Sequence, residues 1–202
     1  MDNQIKKFME NNKLEKIIAF SGGADEKKEK VERIIEDSIL YFKNKPIGIL
    51  TGGTYWGIPK FATDIAKDYG LKTIGVMPER GEKYSLDNLD LKIKVPPKYG
   101  NSEYGDESEV FAKLADGVEI IGGSAGTAIE SYHIIKINSR IIDYIKKETT
   151  KETPKIIAPI AGLGGFSEEI YSIQSAKGMI PPSKIFEGGD AAKYLLSKLD
   201  IY

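Results

Sequence analysis

The feature that most constrains the fold of this 202-residue chain is a cycle that repeats along it. In each cycle a short apolar run leads into a glycine-rich turn, and the turn leads into a segment with helical spacing. Apolar runs that do not alternate with polar residues are typical of strands buried on both faces of a parallel sheet. The cycle therefore predicts a Rossmann-like, doubly wound α/β fold, with a mainly parallel sheet and helices on both faces. We expect residues 1–202 to form a single domain, because this length fits one domain of ordinary size.

The individual apolar runs place the strands. Five runs are predicted as strands and a sixth, at 91–95, is a weaker candidate; together they cover 16–20, 46–50, 72–77, 91–95, 117–121 and 155–160. Helical spacing predicts helices over 25–43, 58–69, 107–115, 127–147 and 189–199. The polar stretch 96–106 is predicted to be a loop. Asp25, early in the first of these helices, is interpreted as a capping acid.

Composition disfavours several classes of function. The chain has no cysteine and a single histidine, His133, which excludes disulfides, thiolate metal sites and histidine-rich zinc sites. A net charge of −1 argues against nucleic-acid binding by bulk electrostatics. The sequence has no run of about 18 apolar residues and no signal-peptide pattern at its start. We therefore expect a cytoplasmic protein with no membrane partner and no nucleic-acid partner.

Three glycine-rich turns carry the functional prediction. Each follows a predicted strand and opens a helix; they are Ser21-Gly22-Gly23, Thr51-Gly52-Gly53-Thr54 with Gly57 close behind, and Gly122-Gly123-Ser124-Ala125-Gly126-Thr127. Backbone N–H groups and a helix dipole at such turns attract anions. Because ligands of open α/β sheets bind at the carboxyl edge of the strands, we expect the three turns to share one phosphate-bearing ligand. The plain alternative for each Gly-Gly is a tight turn with no ligand.

None of the turns matches a more specific nucleotide motif. A Walker loop requires Gly-Lys-Ser/Thr, which follows none of them, and the G-x-G-x-x-G spacing of dinucleotide-binding proteins is missing. ATP hydrolysis and NAD-dependent redox chemistry are therefore disfavoured. We expect no bound cofactor and no metal.

Two segments, 49–78 and 114–130, resemble the LONELY GUY family, whose members are often labelled lysine decarboxylases. That family belongs to the wider SLOG superfamily of Rossmann-like nucleotide binders. Its pattern has a G-G-G-x-x-G turn, a strand ending in proline, and a P-G-G-x-G-T-x-x-E block. In this chain residues 52–58, 75–78 and 122–130 take those three places, with Gly122 where the block begins with proline. The resemblance implies a nucleotide ligand and a homodimer formed through the long helices.

The resemblance also implies a chemistry. The founding members cleave the N-glycosidic bond of a nucleoside 5′-monophosphate to give base and ribose 5-phosphate, using a glutamate at the end of the third block and an arginine upstream of it. Glu130 matches the glutamate and is the candidate catalytic residue, because a carboxylate stabilises positive charge that develops on the ribose. The arginine position falls on Glu107, a reversal of charge. Arg80 is the weaker candidate for the missing cation.

Three hypotheses remain open from the sequence. Glu130 favours a phosphoribohydrolase, whereas Glu107 favours a sensor or carrier that binds a nucleotide or an ADP-ribose-like ligand without turnover. The third hypothesis is a degenerate site in a protein whose role is assembly. His133 is interpreted as structural, and Tyr55 and Trp56 fit a core or a stacked base equally well. The leading prediction is a protein that binds a small nucleotide-like ligand, with its catalysis undecided.

Overall fold

The computed structural model describes residues 2–23 and 28–201. The strands of these ranges are β1 (Lys16–Gly22), β2 (Ile47–Thr51), β3 (Lys72–Pro78), β4 (Leu91–Val95), β5 (Gly117–Ile121) and β6 (Ile156–Ile160). The helices are α1 (Asp2–Asn12), α2 (Lys28–Phe42), α3 (Gly57–Asp68), α4 (Ser108–Leu114), α5 (Ala125–Lys146), α6 (Phe166–Glu169) and α7 (Gly188–Lys198). Short 3-10 segments lie at Glu79–Tyr84, Ile170–Ser172 and Gln174–Ala176.

The six strands pair in parallel in one sheet, in the order β4-β3-β2-β1-β5-β6. The chain builds outward from β1 to β4 on one side, and β5 and β6 then extend the sheet on the other side. The strand order therefore reverses between β1 and β5, where Ser21 is in register with Ile120. In open α/β sheets the crevice above such a reversal is the usual place for a ligand.

Helices cover both faces of the sheet because the strands are apolar on both. Successive strand residues point to opposite faces, so Ile17 and Ile18 enter different cores. Ile17 packs with residues of α1, α4 and α5. Ile18 and Phe20 pack with residues of α2, α3 and α7. The predicted doubly wound α/β fold with a parallel sheet is confirmed.

The structure also contains elements that the sequence analysis did not predict. α1 precedes the first strand and buries Ile5 against the sheet, and α6 with two 3-10 segments follows β6. The weaker candidate at 91–95 is strand β4, and the stretch 96–106 contains no helix or strand, as expected. Asp25 lies outside the described residues. Across the two described ranges, no helix is both long and apolar enough to cross a membrane.

Candidate functional site

The three glycine-rich turns lie side by side at the carboxyl edge of the sheet, because β2, β1 and β5 are neighbours. We refer to them as the β1 turn (residues 21–23), the β2 turn (51–57) and the β5 turn (122–127). Their sequences are similar, but their glycines and hydroxyl groups contact different partners. These contacts decide which turn has groups left for a ligand.

The β2 turn is held together by its own polar groups. Thr51 is 1% exposed, and its Oγ1 accepts a hydrogen bond of 3.1 Å from the Gly53 N–H. The same oxygen lies 3.3 Å from Thr63 Oγ1. Gly53 has a φ of +71°, which favours glycine, and a Cβ there would lie 2.7 Å from Met77 Cε and 3.1 Å from Gly75 Cα. Thr51 and Gly53 therefore have packing roles that need no ligand.

The remaining members of the β2 turn are Gly52, Thr54 and Gly57. Gly57 is buried at the start of α3, and Thr54 forms an isolated antiparallel bridge with Ser85. Gly52 is half-buried, and a Cβ built on it would meet Pro59 at 3.8 Å. Of the three, Gly52 has the most space beside it for a ligand.

The glycines of the β1 turn are also packed by neighbouring elements. A Cβ at Gly22 would collide with the carbonyl oxygen of Ile121 on β5 and with the side chain of Ile58 on α3. The carbonyl oxygen of Gly23 accepts a hydrogen bond of 3.2 Å from the Ile58 N–H. Close packing of β5 and α3 therefore accounts for the glycine at position 22.

Ser21 and Glu130 meet across the reversal between β1 and β5. Ser21 is 2% exposed, and its Oγ donates a hydrogen bond to Glu130 Oε2, although the two residues are 109 positions apart. Burial raises the pKa of Glu130 to about 8 and outweighs the lowering effect of the Ser21 bond, while the nearby charge of Glu107 raises it further. These surroundings favour the neutral carboxylic acid form of Glu130 over the ionised form.

Glu107 is the residue at the family's arginine position, and the structure places it within electrostatic reach of Glu130. It immediately precedes α4, and its carboxylate accepts a hydrogen bond of 2.9 Å from the Gly105 N–H. Burial raises the pKa of Glu107 above its ordinary value. Two ionised carboxylates would repel a phosphate, and a raised pKa favours the uncharged form of each group. The sequence analysis found the charge reversal but not this proximity.

The first half of the β5 turn is fixed by the loop after β6. The Gly122 N–H donates to Ser167 Oγ at 3.0 Å, and the Ser167 N–H donates back to the Gly122 carbonyl oxygen at 3.0 Å. The carbonyl oxygen of Gly123 accepts a bond of 2.9 Å from the Phe166 N–H. A Cβ at Gly123 would collide with the side chain of Thr127, which is itself 4% exposed.

The second half of the β5 turn is open. Ser124, Ala125 and Gly126 are exposed, and no atom lies within 4 Å of a Cβ built on Gly126. Residues 125–127 form the first turn of α5, where N–H groups have no partner inside the helix. No hydrogen bond from elsewhere in the described chain reaches these N–H groups, and the Ser124 side chain does not cap them. Among residues 2–23 and 28–201, the N–H groups of this half of the turn thus have no hydrogen-bond partner.

Arg80, the candidate for the missing cation, lies just after β3. Its guanidinium forms an ion pair with Glu103 and lies over the Tyr104 ring at 4.9 Å from the centroid. Within the described residues, no hydrogen bond or ion pair joins Arg80 to Glu130. The structure thus brings Ser21, Glu107 and Glu130 together, while the charge of Arg80 is already paired.

The aromatic residues and the histidine have contacts of their own. Tyr55 and Trp56 pack edge to face with centroids 4.5 Å apart, and each also contacts the Tyr84 ring. Tyr55 is 48% exposed, so this cluster lies at the surface. His133 lines a separate cleft of about 550 Å³ along α4 and α5, and no residue of the glycine turns lines that cleft. Among the residues with described positions, no cluster of three acidic or histidine side chains is suited to hold a metal ion.

These observations define a class of protein: a parallel, doubly wound α/β fold with polar residues gathered above its strand reversal. The sequence model of the SLOG cluster4 family matches residues 15–174, and the chain belongs to that family. The predicted SLOG relationship is therefore confirmed at the level of the superfamily. A comparison with curated proteins gives no match.

Several solved structures share the fold of this chain. TM1055 superposes with a TM-score of 0.66 at 19% identity, covering 91% of this chain and 99% of its own. The molybdenum cofactor binding protein of Rippkaea orientalis gives 0.65 at 18% identity, covering 92% and 98%. The molybdenum cofactor carrier protein of Chlamydomonas reinhardtii gives 0.60 at 22% identity, covering 91% and 99%. At these identities the likeness establishes the fold.

Proposed function

We propose that this chain binds a small nucleotide-like ligand, either a nucleoside phosphate or an ADP-ribose-like molecule, with its phosphate on the first turn of α5. The observation that carries the proposal is the exposed segment 124–126 at the start of α5, beside the strand reversal, where the first N–H groups of the helix have no hydrogen-bond partner among the described residues. A helix N-terminus of this kind attracts anions through its N–H groups and its dipole. Ser21 and Glu130 lie close by and would contact the adjoining sugar.

The protonation of Glu130 supports binding rather than turnover. A neutral carboxyl group donates and accepts hydrogen bonds without repelling a phosphate, whereas stabilising a cationic ribose requires the ionised form. Two of the similar structures also belong to proteins described as binding or carrying the molybdenum cofactor. We therefore favour a carrier or sensor role for this chain.

Ligand-dependent thermal stability tests the proposal. Melting curves would be recorded with AMP, GMP, CMP, UMP and ADP-ribose at millimolar concentration, with sodium sulfate at matched ionic strength as the control. A ligand that binds the native state alone adds about 2.7 kcal/mol of stability at 100 times its dissociation constant. We expect at least one nucleotide to raise the melting temperature above the sulfate control. An unchanged curve with every member of the panel would contradict the proposal.

The alternative function is hydrolysis of a nucleoside 5′-monophosphate, as in the LONELY GUY family. The position of Glu130 beside the β1 and β5 turns favours it. If Glu130 acts as an ionised carboxylate, Glu130→Gln should lower turnover by about 100- to 1000-fold and leave ligand affinity nearly unchanged. The rate should also rise with pH as Glu130 ionises near pH 8. Base release by both proteins, measured from pH 6 to about 9, decides between the two functions.

We also propose that two copies pair through α5. Its surface exposes Ile129 (41%), Tyr132 (49%) and Tyr144 (43%), which lie within one broad face of the helix. Burying such side chains between two copies removes apolar surface from water. Light scattering should give the mass of a dimer, and Tyr132→Glu with Tyr144→Glu should give the mass of a monomer. A monomeric wild-type protein would exclude this pairing.

A further inference from the structure

A cleft of about 500 Å³, which we call the α7 cleft, lies between α7 and the segment that follows α6. One wall consists of Tyr171 and of residues between positions 177 and 182, and the other consists of Tyr194 and Lys198 of α7. No residue of the three glycine turns lines this cleft. It is therefore separate from the site proposed for the nucleotide-like ligand, and none of the assignments above uses it.

We propose that the α7 cleft binds a small organic acid, whose carboxylate contacts the lysines of the cleft and whose apolar body contacts its tyrosine, isoleucine and proline side chains. The proposal goes beyond the function proposed above and does not depend on it, because the two sites share no lining residue. The class of ligand is a monocarboxylic acid with an apolar body about the size of a phenyl ring.

The α7 cleft has an apolar lining. It consists of Ile180, Pro181 and Pro182 together with the rings of Tyr171 and Tyr194, and all of these residues except Pro182 are buried or half-buried. Small-molecule sites in proteins have volumes of roughly 300–1,000 Å³ and combine an apolar lining with a few polar groups. An apolar body in this cleft removes apolar surface from water on both partners, which favours binding.

The wall that faces α7 is restricted in conformation. The two consecutive prolines at positions 181 and 182 each have a fixed φ. The Tyr171 hydroxyl donates a hydrogen bond of 2.8 Å to the Pro159 carbonyl oxygen on β6 and accepts one of 3.3 Å from the Ile185 N–H. A preorganised wall loses less conformational entropy when a ligand binds, so more of the contact energy remains as affinity.

The free polar groups of the α7 cleft are donors. Lys177 and Lys198 form no ion pair with any described residue, and no aspartate or glutamate lines the cleft. Lys198 Nζ lies 5.9 Å from the centroid of the Tyr194 ring, a contact that leaves its charge unbalanced. The Tyr194 hydroxyl has no hydrogen bond with the described residues, and burial raises its pKa above the ordinary value, so it keeps its proton. The matching ligand group is therefore an anionic acceptor.

The combination of two lysines with an apolar wall favours a carboxylate over other ligands. An inorganic anion leaves the apolar wall in water, and a neutral apolar molecule leaves the lysines without an acceptor. A phosphate dianion loses more hydration than a carboxylate does beside apolar side chains. The cleft along α4 and α5 differs, because Glu109 and Asp143 line it together with its cations.

NMR of protein labelled at the isoleucine methyl groups tests the proposal, because Ile180 lines the cleft and Ile129 on α5 does not. The probes are 3-phenylpropionate, its uncharged analogue 3-phenylpropanamide, and acetate, which lacks the apolar body. They are titrated into the wild type, the double variant Lys177→Gln with Lys198→Gln, and Lys193→Gln. Lys193 is the matched control, because it is exposed on the same helix, is paired with Asp190 and does not line the cleft.

We expect 3-phenylpropionate to shift the Ile180 methyl signal in a saturable way and to leave the Ile129 signal in place. The amide and acetate should bind about tenfold more weakly, because each lacks one half of the recognised chemistry. The double variant should bind 3-phenylpropionate about tenfold more weakly than Lys193→Gln, which should match the wild type.

Three results would overturn the proposal. The first is the absence of a shift of the Ile180 signal at millimolar 3-phenylpropionate. The second is equal affinity for the carboxylate and the amide. The third is a double variant that binds 3-phenylpropionate as tightly as Lys193→Gln does, because the two lysines would then not hold the carboxylate. None of these measurements uses a nucleotide, so each result leaves the function proposed above untouched.

Discussion

The β2 turn and the β5 turn are nearly alike in sequence and opposite in structure. Each follows a buried strand, contains a Gly-Gly pair, a third glycine and at least one threonine, and leads into a helix. In the β2 turn, Thr51 and Gly53 bond to each other and pack against β3 and α3. In the β5 turn, the stretch from Ser124 to Gly126 is exposed, and no described atom outside the helix's own backbone lies within 4 Å of a Cβ built on Gly126.

A glycine in a turn after a strand can therefore have either of two physical causes: the packing of the fold or the approach of a ligand. At Gly53 the glycine is required by a positive φ and by the close approach of Met77 and Gly75. Neither the backbone conformation of Gly126 nor a neighbouring atom requires a glycine there. The close approach of a ligand is therefore the best explanation for this glycine. Each of the next three predictions tests this contrast.

The largest effect is expected at the β2 turn. Gly53→Ala introduces a Cβ against Met77 and Gly75 in a backbone conformation that alanine disfavours. We expect the free energy of unfolding to fall by roughly 2–5 kcal/mol, from backbone strain and overpacking together. Urea unfolding at neutral pH measures the change. A variant as stable as the wild type would remove the packing role assigned to Gly53.

The strands before the two turns also differ, and this predicts a pH effect. β2 has no titratable residue, whereas β5 carries Glu119, which is 0% exposed. Its Oε2 accepts a hydrogen bond of 2.8 Å from Ser38 Oγ, and its Oε1 has no hydrogen-bond partner among the described residues. Burial raises the pKa of Glu119 to about 8. Between an unfolded-state pKa near 4.5 and about 8 the native state binds the extra proton, so stability falls as pH rises.

Glu119→Gln should remove that dependence. The wild type should lose up to about 1.4 kcal/mol per pH unit from this carboxyl between about pH 5 and 8, and the variant should lack this contribution. The free energy of unfolding of Glu119→Gln should therefore rise relative to that of the wild type as the pH increases toward 8. Unfolding curves at several pH values measure both slopes, and Glu109→Gln, at an exposed ion pair with Lys98 and Lys113, is the control. Parallel slopes for wild type and Glu119→Gln would contradict the assignment.

The smallest effect is expected at the β5 turn. Gly126 lies in the first turn of α5 with open space around its Cβ position, so Gly126→Ala creates no collision. Alanine is the better helix former, and we expect a gain in stability of less than about 1 kcal/mol. The same urea experiment measures it beside Gly53→Ala. A loss as large as that of Gly53→Ala would mean that the two turns do not differ as described.

The strands could be predicted well because runs such as 47–50 are apolar and short and lead into glycine-rich turns. The helix α1 was not predicted, because its few apolar residues, Ile5 among them, give a weak pattern in a polar segment. The three turns also look equivalent in the sequence. The residues that distinguish them, Met77 at the β2 turn and Ser167 at the β5 turn, are distant in sequence and come near only in the folded chain.

Separation along the chain also limited what could be predicted of the site. Glu130, Ser21 and the reversed charge at Glu107 were each identified from the sequence, yet the hydrogen bond between Ser21 and Glu130 joins residues 109 positions apart. No local pattern reports such a contact. The pKa of Glu130 is raised by its burial in the folded chain and by the nearby charge of Glu107. Neither effect can be predicted from the sequence, so the choice between binding and catalysis depends on the structure.

The N–H groups at the start of α5 are the proposed phosphate ligands, and Ala125→Pro removes one of them. Proline is tolerated at the first position of a helix, and Ser124 before it is outside the helical conformation that a following proline disfavours (φ −125°, ψ −145°). The substitution deletes one donor, while Ala125→Ser keeps it and serves as the control. Calorimetry with AMP should show Ala125→Pro binding roughly 10- to 100-fold more weakly, with unchanged stability and with Ala125→Ser like the wild type. Equal AMP affinity in Ala125→Pro and Ala125→Ser would contradict the claim.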